Sequence, residues 1–114
     1  MRFTVSLKNN YDFRRLYQKG KSAATHRLLL YCRKTRRPQN RVGYTVSTKL
    51  GNAVHRNRVR RRLREVYRLH EGELQPGWDM VVVVRHGGVD APYRELEADF
   101  LRLVKKLGIL EPVE

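Results

Sequence analysis

Cysteine, long apolar runs and acidic residues are all scarce in this 114-residue chain, and each scarcity excludes a class of protein. The single cysteine, Cys32, excludes an internal disulfide and is typical of a chain that folds in a reducing compartment. No apolar run approaches the length of about 20 residues that a membrane-spanning helix needs. The first residues, Met1 to Val5, lack the apolar core of a signal peptide. We therefore expect a soluble, cytoplasmic protein with no membrane partner.

The sequence also lacks the residue patterns of protein-based catalysis and of metal binding. Its four histidines have no metal-ligand spacing with one another or with Cys32, and its carboxylates are scattered over different predicted elements. Metal-dependent protein nucleases need carboxylates gathered around the metal ions. No glycine-rich phosphate-binding loop is present either. We therefore predict no catalytic residue, no metal ligand and no cofactor bound by the protein alone.

What the chain has instead is positive charge. Twenty-five Lys and Arg against eleven Asp and Glu give a formal net charge of +14. Such self-repulsion costs stability in a small domain and is usually offset by an anionic partner. Arginine supplies most of the charge, and its planar fork favours bidentate contacts with phosphate. The length predicts a single domain over residues 1–114.

The charge is concentrated in a segment that also has a helical apolar pattern. Seven arginines lie within thirteen residues, 56–68. At about 100° per residue, one side of the helix is apolar: Val59, Leu63, Val66 and Tyr67. The opposite side is polar: Asn57, Arg61, Arg64 and Arg68. A solvated helix face usually mixes acids and bases in pairing positions, but Glu65 is the lone acid between Leu50 and Leu69. We therefore predict a helix with one face in the core and one face that binds nucleic acid.

The rest of the chain predicts helices and strands that would support this helix. A short helix begins after Asn9 and ends at Gly20 in the left-handed conformation. A polar extended segment or short edge strand at 21–25, a strand at 27–33 and a turn at 35–41 follow. In the strand at 42–47 the alternation places Val42, Tyr44 and Val46 inward and Gly43, Thr45 and Ser47 outward. The segment 79–84 is apolar on both faces, which indicates a covered central strand, and a last helix follows residues 90–92. The pattern predicts a small α+β or α/β sandwich.

Aromatic residues form a second candidate surface. Phe13 and Tyr17 lie four residues apart on the first helix and could stack on unpaired bases. Tyr31 lies on the strand face opposite Leu28, Leu30 and Cys32. Core packing is the commoner role for such residues, so cleft and core both remain open for all three. Asn57 and Asn52 could contact phosphate, a 2′-hydroxyl or a hydrated metal, while Asn52 fits equally well as a helix cap.

Three consecutive runs together resemble the signature of a known family: Arg41-Val42-Gly43-Tyr44-Thr45-Val46-Ser47, Lys49-Leu50-Gly51-Asn52-Ala53-Val54, and Arg56-Asn57-Arg58 followed by Arg60-Arg61. The family is the bacterial ribonuclease P protein component. Further similarity lies upstream, in Leu7-Lys8, Asp12-Phe13 and Gly20-Lys21-Ser22, and downstream, in Gly77-Trp78-Asp79 before the valine strand. The resemblance covers nearly the whole chain.

This resemblance implies both a fold and a function. The fold is an α+β two-layer sandwich with the order α-β-β-β-α-β-α around a mostly antiparallel central sheet. A left-handed βαβ crossover through the basic helix is also implied, whereas the general rule favours the right-handed form. The implied function is that of a ribonuclease P subunit, which assists a catalytic RNA in endonucleolytic removal of the 5′ leader from precursor tRNA. The implied partners are that RNA and precursor tRNA, not DNA, and the RNA would hold the catalytic Mg²⁺.

The resemblance also assigns candidate site residues. The RNA-binding set comprises Lys49, Asn52, Arg56, Asn57, Arg58, Arg60, Arg61, Arg64 and, from the same outward face, Arg68. The leader cleft comprises Phe13, Tyr17 and Tyr31. Three departures from the family pattern stand out. Thr48 replaces a basic residue, Arg62 adds charge on a flank that is often apolar, and the basic arm before the first helix is reduced to Arg2 and Lys8.

Three other classes of protein remain to be distinguished. A structural, ribosomal-type RNA-binding protein would show no preference for a precursor leader. A DNA-binding regulator would carry a turn-linked helix directly before the arginine helix, where this chain has a strand and a Gly-Asn turn. An autonomous protein nuclease would cleave precursor tRNA without an RNA partner. Arg36 and Arg37, outside the helix, offer a comparison for substitutions of Arg58 and Arg61.

Overall fold

The computed structural model describes residues 4–111, and Arg2 therefore lies outside the described part of the chain. Five strands and three α-helices lie along this part of the chain in the order β-α-β-β-β-α-β-α. The strands are β1 (Thr4–Ser6), β2 (Lys21–Ala24), β3 (Leu28–Lys34), β4 (Asn40–Val46) and β5 (Trp78–Val84). The helices are α1 (Asn10–Lys19), α2 (Ala53–His70) and α3 (Tyr93–Lys106). Short 3₁₀ turns at Thr48–Leu50, Glu71–Glu73 and His86–Gly88 connect them.

The five strands form one mixed sheet in the order β1-β4-β5-β3-β2. β4 is parallel to both β1 and β5, whereas β3 is antiparallel to both β5 and β2. The α+β class is confirmed, but the prediction of a mostly antiparallel sheet was wrong. The order also gains β1, which at three residues is too short to show an alternation in sequence. The helix α2 joins the adjacent parallel strands β4 and β5, as predicted, and the left-handedness of that crossover stays a prediction.

Helices cover both faces of the sheet, so the predicted two layers are three. The larger core lies between one face and the helices α2 and α3, and includes Leu30, Met80, Val82, Leu63 and Phe100. On the other face α1 packs through Leu16 against Val81, with Leu7 beside them. Because successive residues of β5 face these two cores in turn, its predicted character as a covered central strand is confirmed.

Two glycines differ from their predicted roles. Gly43 does not face outward to solvent, because α1 covers that face of β4 and a Cβ atom on Gly43 would lie 2.7 Å from Cζ of Phe13. Gly20 is extended at φ −78°, not left-handed. A Cβ atom there would lie 2.6 Å from the carbonyl oxygen of Leu16, so close backbone approach requires the glycine.

No helix within residues 4–111 is both long and apolar enough to span a membrane.

Candidate nucleic-acid interface

The arginine helix α2 is anchored in the core by its predicted apolar side. Val59, Leu63, Val66 and Tyr67 are all buried, with at most 4% of their surface exposed. The Tyr67 hydroxyl lies 2.7 Å from Oγ1 of Thr4 in β1 and accepts a hydrogen bond from Nδ2 of Asn40 at 3.4 Å. The predicted order and orientation of this segment are therefore confirmed.

The opposite side of α2 presents guanidinium groups that the protein's own acids do not neutralise. Arg58, Arg61 and Arg64 are exposed. Within the described chain, no carboxylate forms a salt bridge with any arginine of α2 except Arg68, whose Nε donates to Glu65 at 3.1 Å. Arg68 is therefore partly neutralised, while the middle of the helix retains its full charge.

Polar or aromatic contacts hold Arg56, Arg60 and Arg64 of α2 in place. Nε of Arg56 donates to the Gly51 carbonyl oxygen at 3.2 Å, and Nη1 of Arg60 donates to Oδ1 of Asn57 at the same distance. The guanidinium carbon of Arg64 lies 5.9 Å from the ring centre of Tyr44. These contacts restrict the side chains without removing their charge, which lowers the entropic cost of binding an anion.

Arg62 has a structural role that the sequence left open. Its Nη1 donates to the Ala91 carbonyl oxygen at 2.8 Å, just before α3 begins. This contact ties α2 to the start of α3 and explains a basic residue on that flank.

Two helix caps fix the backbone between β4 and α2: Ser47 caps the 3₁₀ turn and Asn52 caps α2. Oγ of Ser47 accepts from the Lys49 amide at 3.2 Å, and Oδ1 of Asn52 accepts from the His55 amide at 3.1 Å. Asn52 is thus the helix cap, and a contact between Asn52 and RNA stays a prediction. The Lys49 side chain is exposed at the turn that leads into the helix.

The three candidate aromatic residues meet where α1 crosses the sheet. The rings of Tyr17 and Tyr31 pack edge to face at 4.9 Å, and the Tyr17 hydroxyl lies 3.4 Å from Oγ1 of Thr45. Phe13 is partly buried over Gly43, and Tyr31 is partly buried against the α1 core, whereas Tyr17 remains 41% exposed. Phe13 and Tyr17 also line an open groove of about 390 Å³ together with Asn10, Arg14 and Thr45. Cleft and core are therefore both represented: Tyr31 supports the groove from beneath, and Tyr17 faces solvent.

The aromatic groove and the arginine face lie on opposite sides of the sheet. The segment of chain that follows β4 runs from one to the other. Thr45 lines the groove, and four residues later Lys49 stands at the turn before α2. One short segment of chain therefore connects the groove to the turn before the arginine helix.

A further basic cavity was missed in the sequence. It measures about 610 Å³ and lies between α1 and the β3–β4 turn, with Arg15, Arg33, Lys34, Arg36 and Arg37 among its lining residues. The signal was present in the run Arg33-Lys34-Thr35-Arg36-Arg37, which its neighbours Pro38 and Asn40 identified only as a turn. Arg36 and Arg37 are consequently unsuitable as the comparison arginines for α2.

Three carboxylates and the cysteine have structural roles. Asp79 is held by Arg41 at 2.6 Å, Asp99 by Arg27 at 3.2 Å, and Glu97 by His70 at 2.8 Å. Within residues 4–111 no three His, Cys, Asp or Glu residues come together as a metal site. Burial raises the pKa of the Cys32 thiol to about 11, so Cys32 is not a thiolate nucleophile at neutral pH.

Known proteins are similar to this chain in both sequence and fold. The chain matches the family model described as Ribonuclease P over residues 1–108. The chain belongs to the ribonuclease P protein family. A ribonuclease P protein component from Alkaliphilus metalliredigens is 40% identical over 96% of this chain and 99% of its own length. One from Clostridioides difficile is 41% identical over 93% of this chain and 94% of its own.

Solved structures of ribonuclease P proteins have the same fold. The Staphylococcus aureus protein superposes with a TM-score of 0.85 at 30% identity, covering 93% of this chain and 97% of that one. The Thermotoga maritima protein gives a TM-score of 0.78 at 27% identity, covering 85% and 92%. The function of the chain is that of a protein subunit of this endoribonuclease in tRNA 5′ processing, as the resemblance implied.

Proposed function

We propose that the chain, as a single RNA-binding domain over residues 1–114, binds the catalytic RNA of ribonuclease P through the outward face of α2. The observation that supports this most directly is the set of exposed arginines, Arg58, Arg61 and Arg64, that no acid of the described chain neutralises. Arginine forks suit RNA phosphates because they donate two parallel hydrogen bonds. Lys49, Asn52, Arg56, Asn57, Arg60 and Arg68 extend this surface along the helix and into the turn before it.

The aromatic groove is the proposed place for the 5′ leader of precursor tRNA. Tyr17 presents an exposed ring, and base stacking on such a ring contributes about 1–3 kcal/mol per base. Tyr31 packs edge to face against Tyr17 and restricts its ring, while Phe13 and Arg14 line the same groove. Because stacking is available to every base, the groove would accept leaders of different sequence.

Magnesium belongs, in this proposal, to the RNA. Mg²⁺ prefers carboxylate oxygens in octahedral geometry, but the carboxylates Asp79, Asp99 and Glu97 are already bound to basic side chains. These three carboxylates are therefore not free to form a magnesium site. The protein's contribution would be electrostatic: the cations of α2 replace part of the ion atmosphere around the RNA and lower the magnesium concentration needed for cleavage.

The test is reconstitution of the holoenzyme with its RNA at low magnesium. Arg58→Ala with Arg61→Ala should reduce cleavage of precursor tRNA at least about tenfold and reduce the log–log salt slope of RNA binding by about 2. Arg94→Ala with Arg102→Ala removes the same charge from the exposed side of α3 and is the matched control. Equal losses in the two variants would contradict the assignment of the interface to α2.

Leader recognition has its own test. Tyr17→Leu should reduce the ratio of affinities for precursor and mature tRNA, measured with the holoenzyme, and leave the affinity for the catalytic RNA unchanged. A wild-type holoenzyme with no preference for precursor over mature tRNA would contradict the assignment of the 5′ leader to the aromatic groove. Cleavage by the protein without RNA would contradict the placement of the chemistry in the RNA.

A further inference from the structure

We propose that the basic cavity between α1 and the β3–β4 turn is a second, separate binding site for a phosphate-rich ligand. Six basic and two acidic side chains line it, which gives the lining a formal net charge of +4. Its volume of about 610 Å³ lies within the range of about 300–1,000 Å³ that is usual for ligand sites. The site goes beyond the proposed function, because neither the arginine face of α2 nor the aromatic groove includes it.

Both acids of the cavity are already paired with one arginine of its lining, Arg41. Nε and Nη2 of Arg41 donate to the two oxygens of Asp79 at 2.8 and 2.6 Å, and Nη1 donates to Oδ2 of Asp12 at 3.2 Å. The hydrogen bonds to Asp79 raise the pKa of Arg41, so Arg41 stays charged. This network of one guanidinium and two carboxylates carries a formal charge of −1, so the other five basic side chains of the lining give the cavity its net charge of +4.

The remaining arginines of the cavity have no acidic partner. Arg15, Arg33, Arg36 and Arg37 form no salt bridge with any carboxylate of residues 4–111. Lys34 is positioned by the fold, since its Nζ donates to the Pro76 carbonyl oxygen at 3.2 Å and lies 5.2 Å from the Trp78 ring centre. Four unpaired guanidinium groups around one concave surface repel one another, and a bound polyanion would relieve that repulsion.

The turn that carries these arginines is fixed to Gly77, the residue before β5. The Thr35 amide donates to the Gly77 carbonyl oxygen at 2.7 Å, and Oγ1 of Thr35 accepts from the Arg37 amide at 3.1 Å. Gly77, at φ +89°, permits this close approach, since a Cβ atom there would lie 3.1 Å from the Arg37 carbonyl oxygen. The cations are therefore presented on an ordered backbone, which reduces the entropy lost on binding.

The cavity is distinct from the aromatic groove although both lie on the α1 face of the sheet. Arg41 and Thr45 mark the two sites on β4, and at about 3.3 Å per residue they are about 13 Å apart. Phe13 covers Gly43 between them. The arginine face of α2 lies on the other side of the sheet. A ligand in the cavity would consequently leave both proposed RNA surfaces free.

The chemistry of the lining specifies phosphate as the recognised group. Guanidinium forks pair with phosphate oxygens in bidentate geometry, and the cavity offers cations from three sides: α1, the end of β3 and the turn. Two sources can supply such a ligand, the backbone of an RNA strand and a free polyphosphate. An octauridine strand and inorganic tripolyphosphate represent them in the test.

The test follows the backbone amides of the ¹⁵N-labelled full chain during titration with each probe. We expect saturable shifts at Thr35, Arg36, Arg37 and Gly77. The variant R33Q/R36Q/R37Q should lose these shifts and bind at least about tenfold more weakly at this site. It should also reduce the salt slope for octauridine by about 2, at about 0.7 per phosphate contact. R94Q/R102Q/K106Q on α3 removes the same charge from exposed positions and should keep the shifts.

Each outcome bears on the proposal. Shifts with octauridine support RNA as the ligand, and shifts with tripolyphosphate alone support a free polyphosphate. Shifts confined to α2 with both probes, or equal losses in the glutamine variant and the α3 control, would overturn the site. R33K/R36K/R37K keeps the charge without the fork, so it should retain the salt slope and bind more weakly. If the glutamine variant does not fold, wild-type affinity in this lysine variant overturns the guanidinium contacts.

Discussion

Gly43 shows how one residue connects the sheet to the helix that borders the aromatic groove. The absence of a side chain lets the Phe13 ring lie directly on β4, and this contact positions α1 and with it Tyr17. The alternation of the strand suggested only that Gly43 faces away from Val42 and Val46. The sequence did not reveal that a helix covers this face, because a glycine carries no apolar surface to signal burial.

Gly43→Ala should therefore destabilise the fold. The new methyl group would lie 2.7 and 2.9 Å from two ring carbons of Phe13 and 3.2 Å from the Leu7 carbonyl oxygen. Such overpacking costs about 1–3 kcal/mol, measurable as a loss in the free energy of urea unfolding. Gly72→Ala is the matched control because nothing lies within 4 Å of its Cβ position. If both variants lose the same stability, the close packing of Phe13 on Gly43 is not significant.

His70 gives a second prediction at the residue scale, on the pH dependence of stability. Burial lowers its pKa, but hydrogen bonds to Glu97 and Glu73 outweigh burial, and the pKa is raised above the ordinary 6.5. A group whose pKa is higher in the folded state stabilises the fold below its unfolded pKa, and the effect disappears as pH rises through the folded pKa. The stability advantage of wild type over His70→Gln should thus be largest below pH 6.5 and shrink as the pH rises above that value.

Urea unfolding at several pH values on both sides of 6.5 tests the His70 prediction. His26→Gln is the control, because His26 is exposed and forms no salt bridge with a carboxylate of residues 4–111. A pH-independent difference between wild type and His70→Gln would contradict the ion pairs with Glu97 and Glu73.

At the scale of one element, α2 divides stability and binding between its two sides. Leu63 is 1% exposed in the core, whereas Arg61 is exposed and forms no ion pair within the described residues. Most of the stability of a helix in a protein comes from packing of its apolar face and not from helix propensity. Substitutions on the apolar side should consequently reduce stability, whereas substitutions on the arginine side should reduce RNA binding.

Leu63→Ala should cost about 2–5 kcal/mol of unfolding free energy because it leaves a cavity in the core. Arg61→Ala should change stability by no more than about 0.5 kcal/mol while weakening RNA binding. Both quantities can be measured on the same samples, by urea unfolding and by RNA titration at a temperature where both variants are folded. A large loss of stability in Arg61→Ala would mean that this side chain has a structural role, as Arg62 has through Ala91.

The sequence predicted more of α2 than of its surroundings, for a physical reason. The helical spacing of Val59, Leu63, Val66 and Tyr67 is a local pattern, and the structure places all four in the core. Sheet pairing is not local: the three residues of β1 pair with β4 across more than thirty residues of chain. The basic cavity was missed for the same reason. Arg15 and the β3–β4 turn meet only through the packing of α1, and the pairing of Arg41 with Asp12 and Asp79 leaves no mark in the sequence.

At the scale of the whole molecule, the formal charge of +14 is confined to a small volume, with principal extents of 38 × 33 × 23 Å. At 0.01 M salt the Debye length is about 30 Å, so nearly all the charges repel one another, whereas at 0.1 M it is about 10 Å and only neighbours do. The melting temperature of the isolated protein should therefore rise as NaCl increases over this range.

R33Q/R36Q/R37Q should raise the melting temperature at low salt and narrow its increase with NaCl, because it removes three neighbouring unpaired cations. Calorimetry or circular dichroism at several NaCl concentrations measures this. A melting temperature that is independent of salt, or a variant with the wild-type salt dependence, would show that self-repulsion does not limit the stability of the fold.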